Sequence, residues 1–279
     1  MIWYSYSTNA FLRFPVDVAL AKIAAIGFEG AEVLCDRPHV WPFGNGSVAI
    51  ATGALKRTGL RISNVNINTA MGLDGGICRD GPGPSLADAD PVRVKARIAY
   101  SKAGLRAARA IGADVASVTT GPARRGAWSR AMDALGVLAE DAASLGMRLG
   151  IEYEPGFLVG DVKTLLRAWK DVRHPALGAN LDLGHARVAG ENLERTIWLC
   201  SGRTWNIHVE DIRGRTHYHL PVGDGTMPWT TIARSLQATG YDGPVTLELY
   251  TCDRNPVGAG RRSLKRLRGI FAATSSSRT

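Results

Sequence analysis

Short runs of alternating apolar and polar residues recur about eight times along the chain, separated by longer stretches with helical spacing. Strands are predicted at Ile2 to Ser7, Gly30 to Leu34, Arg61 to Asn66 and Asp114 to Thr119. Four more follow at Arg148 to Glu152, Gly178 to Asp182, Thr204 to His208 and Val245 to Leu249. The intervening helices include Val16 to Ala25, Pro91 to Ile111, Arg130 to Ser144, Val162 to Val172, Leu193 to Cys200 and Trp229 to Thr239. Glycine follows several of them, at Gly27, Gly112, Gly146 and Gly240, where a helix C-terminus favours a left-handed residue. Strands alternating with helices imply a parallel sheet under helical cover. Eight such units predict an α/β fold, a single (β/α)8 barrel over residues 1–273, with a polar tail at 274–279 expected to be disordered.

The second half of the chain carries the chemistry. Ile151-Glu152-Tyr153, Leu181-Asp182-Leu183, Ile207-His208-Val209 and Leu247-Glu248-Leu249 each deliver one acid or histidine between apolar neighbours. On strands, Ile151, Leu181, Leu183, Ile207, Val209, Leu247 and Leu249 then face one way and the polar residues the other. A barrel of this kind needs few polar residues inside except at its C-terminal rim, so four strand ends there suggest a metal site with one ligand per strand. The intervals between the four residues are 30, 26 and 40. One strand-plus-helix unit takes roughly 30 residues when about 250 are shared by eight units. The longest interval contains the polar stretch Asp211 to Thr226, read as an insertion after a strand. Two further loops, Arg37 to Ser47 with its aromatic residues and Met71 to Asp90 with its glycines, fall on the same face and read as substrate-covering segments.

Composition adds boundaries. At 279 residues and 45% hydrophobic content, one large core suffices. No stretch is apolar enough to span a bilayer and the N-terminus lacks a secretion pattern, so a cytoplasmic protein is expected. The four cysteines are scattered, indicating neither a zinc knuckle nor a disulfide framework. Net charge is +9, compatible with an anionic substrate or a nucleic acid, but much of the excess sits at Arg261, Arg262, Lys265, Arg266 and Arg268, and at Arg124 and Arg125. Such runs read as solvated faces rather than sites.

Several fragments share a family pattern: Gly150-Ile151-Glu152, Asn180-Leu181-Asp182-Leu183-Gly184-His185, Asn206-Ile207-His208-Val209-Glu210-Asp211 and Gly243-Pro244-Val245-Thr246-Leu247-Glu248. Leu220 to Gly225 and Ala25 to Gly30 belong with them. In these, over nearly its whole length, the chain resembles the sugar phosphate isomerase/epimerase superfamily of xylose-isomerase-like barrels. The resemblance implies that Glu152, Asp182, His208 and Glu248 bind one divalent cation. Such an oxygen-rich set suits manganese first, with magnesium, cobalt or zinc as alternatives. It also implies that His185 binds substrate hydroxyls, and that a basic substrate-binding group lies near the Gly-x-Gly turn, where Arg215, His217 and His219 are candidates. Glu154 shares a strand face with Glu152 and either replaces it as ligand or binds substrate. Asp211 reads as a partner to a ligand or an anchor for its loop.

The chemistry expected of this set is proton transfer next to a carbonyl. A cation holding two adjacent oxygens of a hydroxy-ketone stabilises the enediolate, while Glu152 and Glu248 remove and return the proton. That describes a metal-dependent isomerase or epimerase of a sugar, keto-sugar, inosose or related polyol, with or without phosphate. A dehydratase or lyase of the same barrel family would share the first step. Apurinic endonucleases belong to the same superfamily, and His217-Tyr218-His219 ahead of Gly223 is similar to their extra metal ligands. Those nucleases need further histidines on earlier strands, where this chain has Ile67-Asn68-Thr69 and Val118-Thr119-Thr120. A carbohydrate-like small molecule is therefore the expected partner, not nucleic acid or membrane. A metal-free binding protein is disfavoured by the intact ligand set, and self-association through exposed helices stays open.

Overall fold

The computed structural model describes residues 2–44, 46–77 and 82–275. Eight parallel strands close into a barrel in chain order, with the first pairing the last. They are β1 (Trp3–Ser7), β2 (Gly30–Leu34), β3 (Arg61–Asn66), β4 (Val115–Val118), β5 (Arg148–Ile151), β6 (Leu177–Asp182), β7 (Thr204–Val209) and β8 (Pro244–Leu247). Around them lie α1 (Val16–Ile26), α2 (Ser47–Thr58), α3 (Pro91–Ala110), α4 (Trp128–Ser144) and α5 (Val162–Val172). The outer ring is completed by α6 (Leu183–Ala189), α7 (Leu193–Cys200), α8 (Trp229–Ala238) and α9 (Pro256–Ser275).

Local sequence accounts for these boundaries. Asp161 caps α5 by accepting from Thr164 N while the Thr164 hydroxyl accepts from Asp161 N, a reciprocal capping box. Gly27 ends α1 at a φ of 100°, a conformation costly to any residue with a Cβ. On α4 the buried residues Ala131, Leu135, Leu138 and Ala142 recur at helical spacing and form its inner stripe. Outward-facing Leu149, Ile151, Leu181, Ile207, Val245 and Leu247 pack beneath the helices, each 0% or 1% exposed. Burial on that scale contributes about 1.5–3 kcal/mol per side chain.

Several sequence expectations need adjustment. Ser47 does not end a long loop but opens α2, which the strand pattern had left unassigned. Leu183 does not continue its strand: the Asp182 carboxylate accepts from His185 N and turns the chain at once into α6. Glu152, Glu248 and Leu249 fall just past their strands. Of the tail expected at 274–279, residues 274 and 275 close α9, where the Thr274 hydroxyl bonds to the carbonyl of Ile270, and 276–279 lie outside the described residues. The Met71 to Asp90 loop contains a short 3-10 turn at Met71–Asp74, and its residues 78–81 also fall outside the description.

The largest departure is the barrel interior, which is polar well below the rim. Thr246 Oγ1 donates to Asn206 Oδ1 at 2.7 Å, and Asn206 Nδ2 donates to Asn180 Oδ1 at 2.7 Å. Asn64 Nδ2 bridges to Ser117 Oγ and Glu32, and Ser5 and Ser63 hydroxyls pair at 2.7 Å. Each of these side chains makes at least one hydrogen bond, which is what makes a polar core tolerable, and Asn64 Oδ1 is the atom among them left without one. Among the described residues, no helix is long and apolar enough to cross a membrane, and Cys35, Cys200 and Cys252 are free thiols.

Candidate active site

Consecutive strands β5 to β8 bring Glu152, Asp182, His208 and Glu248 together at the C-terminal mouth. One donor atom from each lies within 4.8 Å of the others, and all four are buried. His208 is the hub: its Nδ1 is 3.2 Å from Glu152 Oε2, 3.6 Å from Glu248 Oε2 and 3.8 Å from Asp182 Oδ2. Its other nitrogen, Nε2, is 2.6 Å from Glu32 Oε2. A carboxylate only accepts, so Nε2 carries the hydrogen and a neutral ring would present its Nδ1 lone pair to the three acids. An imidazole held from behind by a carboxylate is the usual arrangement around a bound metal.

Without a cation the same acids favour a proton on the ring instead. Burial by itself would lower the His208 pKa, yet the carboxylates of Glu32, Glu248 and Glu152 hold it well above the usual value. Burial would raise Asp182, but the imidazoles of His185, His219 and His208 pull it below the ordinary carboxylate range. Glu248 moves the other way, pushed well up by burial and only partly offset by His208. Asp182 Oδ2 is buried with no N–H donor, and the Glu210 carboxyl, pushed well up by burial, is the group beside it that can share a proton. Three buried carboxylates and one imidazole fit a divalent cation as counter-charge.

Three amides orient the two glutamates. Asn9 Nδ2 donates to Glu248 Oε1 at 2.7 Å, and Asn68 Nδ2 donates to Glu152 Oε2 at 2.8 Å. Asn180 Nδ2 also donates to Glu152 Oε2. Above them opens a cavity of about 320 Å³ whose wall includes Asn9, Asn68, Glu154, Phe157, His185 and His217.

The remaining sequence candidates separate cleanly. Glu154 stays out of the four-donor group and stands on the cavity wall, its pKa raised to about 7 by burial against the opposing pull of His185. His185 also lines the cavity: its Nδ1 hydrogen goes to the Tyr153 carbonyl at 2.9 Å, and its Nε2 lies 3.1 Å from Nε2 of His217. His219 does not line it. That ring is wholly buried, bonded through Nδ1 to the Glu248 carbonyl at 2.9 Å, and burial pushes its pKa down to about 3. Arg215 reaches away to the Val188 carbonyl. Asp211 acts as a loop anchor, accepting from Gly223 N, Met227 N and the Trp229 indole, which ties down both ends of the insertion.

Glu32, Glu210, Asn9, Asn68 and Asn180 were not anticipated from the sequence. For Glu32 the signal existed: Gly30-Ala31-Glu32-Val33-Leu34 places one acid among apolar residues as the four later strands do. Asn180 and Asn206 precede Asp182 and His208 by two residues and so share their strand faces. Asn9 sits in the short 3-10 turn Thr8–Phe11 after β1, where no periodicity marks it.

A closed parallel barrel with an acid-and-imidazole cluster at its C-terminal mouth defines a class of (β/α)8 enzyme scaffold. The chain belongs to the xylose isomerase-like TIM barrel family, whose family model matches residues 20–270. Fructoselysine 3-epimerase of Shigella flexneri is 26% identical over 272 residues, covering 93% of this chain and 94% of that protein. An uncharacterised protein of Methanocaldococcus jannaschii is 31% identical over 120 residues, 41% of either chain. The chain thus spans less than half of that archaeal relative in the match, and 54% of the Escherichia coli O157:H7 fructoselysine 3-epimerase. Among solved structures, a D-tagatose 3-epimerase-like protein superposes with a TM-score of 0.82 at 19% identity, covering 98% of this chain and 99% of its own. An L-ribulose 3-epimerase gives a TM-score of 0.80 at 15% identity, covering 99% of this chain and 97% of that one. These structural likenesses establish the fold.

Proposed function

We propose that the protein is a divalent-metal-dependent sugar epimerase or isomerase, with a ketose as substrate. The observation that carries this reading is the convergence of Glu152, Asp182, His208 and Glu248 on one point beneath a polar cavity. Those four residues would hold the cation, with manganese as the first choice and magnesium, cobalt or zinc as alternatives. When bound, the cation supplies Lewis acidity that stabilises negative charge developing on a ketone oxygen.

The chain's own residues do the rest. Glu152 and Glu248 are the acid–base pair: one carboxylate removes the proton from the carbon beside the ketone, and the other delivers a proton to the opposite face. Asn68 and Asn180 hold Glu152, and Asn9 holds Glu248, so each carboxylate keeps one aim through the proton transfer. His185 and Glu154, on the cavity wall, bind substrate hydroxyls. The basic substrate-binding role falls to His217 rather than His219, because His217 lines the cavity and His219 lies behind it. Relatives named fructoselysine 3-epimerase and ketose 3-epimerase support epimerisation at the third carbon over transfer to the neighbouring one.

Incubation of the manganese-loaded protein with ketoses in deuterated water tests this directly. Deuterium should enter at the carbon next to the carbonyl, with the epimer accumulating. Loss of water from the sugar instead would favour the dehydratase. Absence of both exchange and turnover across ketoses, inososes and their phosphates would remove the proposal.

A further inference from the structure

Arg97 is an arginine sealed inside the protein. It stands on the buried face of α3, 1% exposed, and its Nε has no hydrogen-bond partner. Asp36 acts on the guanidinium only across space, without contact. A buried cation without a carboxylate against it destabilises a fold relative to an apolar side chain of the same size. Arg97 does not line the cavity above the proposed cation site, so its effect is to be sought in what the guanidinium holds.

Its Nη2 donates to two consecutive carbonyls, Ile67 at 2.5 Å and Asn68 at 3.1 Å, where the chain leaves β3 at the barrel mouth. The Asn68 carbonyl also accepts from Thr119 Oγ1 at 2.8 Å, and Asn68 N donates to Asn66 Oδ1 at 3.1 Å. Both polar groups of the Asn68 main chain are thereby tied. Its side chain is left one aim: Nδ2 donates at 2.8 Å to Glu152 Oε2, the oxygen that lies 3.2 Å from His208 Nδ1. Asn66, at the other end of the tie, puts its Nδ2 3.5 Å from Glu248 Oε1. The segment fixed by Arg97 therefore touches both carboxylates of the proposed acid–base pair.

We propose that Arg97 is a positioning residue, which holds the Asn66–Asn68 segment so that the Asn68 amide keeps Glu152 aimed during proton transfer. The inference rests on the catalytic reading of Glu152. Hydrogen bonds from a charged donor are shorter and stronger than neutral ones, so a guanidinium bridging two carbonyls restrains the segment more firmly than Thr119 alone. A misplacement of about 1 Å by a change away from the chemistry can cost about a hundredfold in rate. The loss should fall on kcat, because the Asn68 amide bears on the reacting carboxylate rather than on the groups that bind hydroxyls.

The experiment compares Arg97→Met, which removes the charge and keeps the bulk, with Arg97→Lys, Asn68→Ala and the Arg97→Met/Asn68→Ala double variant at saturating manganese. Arg97→Met should lose about 10–100-fold in kcat with KM within about twofold, and Arg97→Lys should recover part of that loss. The double variant should fall no further than Asn68→Ala, since both changes act through one amide. A second readout needs no turnover. The side-chain amide resonance of Asn68, identified by its loss in Asn68→Ala, should shift and exchange faster with solvent in metal-free Arg97→Met. Backbone amides of β5 and β7 should keep their protection, which separates a lost aim from general loosening. An unmoved Asn68 resonance, wild-type kcat in Arg97→Met, or losses that multiply in the double variant would each overturn the proposal. If Arg97→Met fails to fold, Arg97→Lys carries the same tests. A wild type inert on every ketose overturns the functional reading instead, and the Asn68 resonance then decides whether Arg97 holds that amide.

Discussion

Replacing Glu32 by Gln tests how far the polar interior governs the site above it. Glu32 is fully buried, and its Oε1 accepts from Ser7 Oγ at 2.7 Å and from Asn66 Nδ2 at 3.3 Å. Its Oε2 accepts from His208 Nε2 at 2.6 Å, Asn64 Nδ2 at 2.7 Å and Asn206 Nδ2 at 3.4 Å. Whichever oxygen becomes an amide NH2, it confronts hydrogen-bond donors. The change removes a charge-assisted bond worth about 1.5–3 kcal/mol and strands a buried donor at about 1–3 kcal/mol. The sum, about 2.5–6 kcal/mol, brackets the usual cost of about 3–5 kcal/mol for breaking a buried charged pair. At about 2–4 °C per kcal/mol, a loss of about 3–5 kcal/mol should lower the melting temperature by about 6–20 °C. With the amide facing Nε2, the relaxed arrangement moves the ring hydrogen to Nδ1, where it points at the cation's place, so metal affinity should drop about 10–100-fold. Calorimetric melting of the metal-free protein and chelator competition on the loaded one read the two effects separately. A variant that melts within about 2 °C of wild type and binds manganese within about twofold would refute the claim that Glu32 sets the state of His208.

Other expectations follow from the same geometry. Glu248→Gln should lower turnover at least about a hundredfold with metal still bound, as steady-state kinetics with metal analysis will show; near-normal turnover would rule out a two-carboxylate mechanism. His185→Ala should keep its cation and lose catalytic efficiency, whereas His208→Ala should lose the cation first; metal content measured on both variants decides the matter. Glu154 gives a pH signature in the metal-free protein: burial raises its folded pKa from 4.5 to about 7, so between those values the folded chain holds a proton that the unfolded chain has released. Stability must therefore fall as pH rises through that window, and melting curves of wild type and Glu154→Gln should diverge from pH 5 to about 7; parallel curves would show that Glu154 titrates normally. Asp211→Ala removes the acceptor shared by Gly223 N, Met227 N and the Trp229 indole, so amide hydrogen exchange across residues 212–227 should rise well before the barrel strands respond.

The barrel was legible because its signal is periodic and local. Ile151, Leu181, Ile207 and Leu247 alternate with chemistry-bearing residues, and one such residue per strand at one-unit spacing leaves little choice of where they meet. Alternation says which face a residue takes but not what stands opposite. That is why Glu32, on the far side of the barrel, went unread although its own strand carries the same pattern. Its relation to His208 spans 176 residues and exists only after closure. Glu210 was hidden for a different reason. It follows His208 by two residues and looks like one more rim acid, and only the packing of Gly184 against it shows that it is sealed beside Asp182. Helix α6 was missed because the Asp182 carboxylate has two tasks, capping His185 N with Oδ1 while Oδ2 joins the acid cluster.

That double use of Asp182 bears on how the site keeps its shape. A carboxylate with both oxygens free would rotate to the nearest donor, but Oδ1 is fixed at 2.7 Å from the first turn of α6. The bond leaves Oδ2 between two imidazoles, 3.7 Å from His185 Nε2 and 3.8 Å from His208 Nδ1. The same logic holds around the mouth: Asn9 and Asn68 clamp one oxygen of Glu248 and one of Glu152, while Glu32 fixes the far nitrogen of His208. Each proposed ligand is thus held by a group on another strand, turn or helix, and for Glu152 the clamped oxygen is the one that faces His208. Like charges are brought within reach of one ion before it arrives, and their repulsion is borne by the fold. The buried network beneath the rim therefore supports the proposed cation site, since loosening it would let the carboxylates separate and weaken cation binding without touching a single proposed ligand.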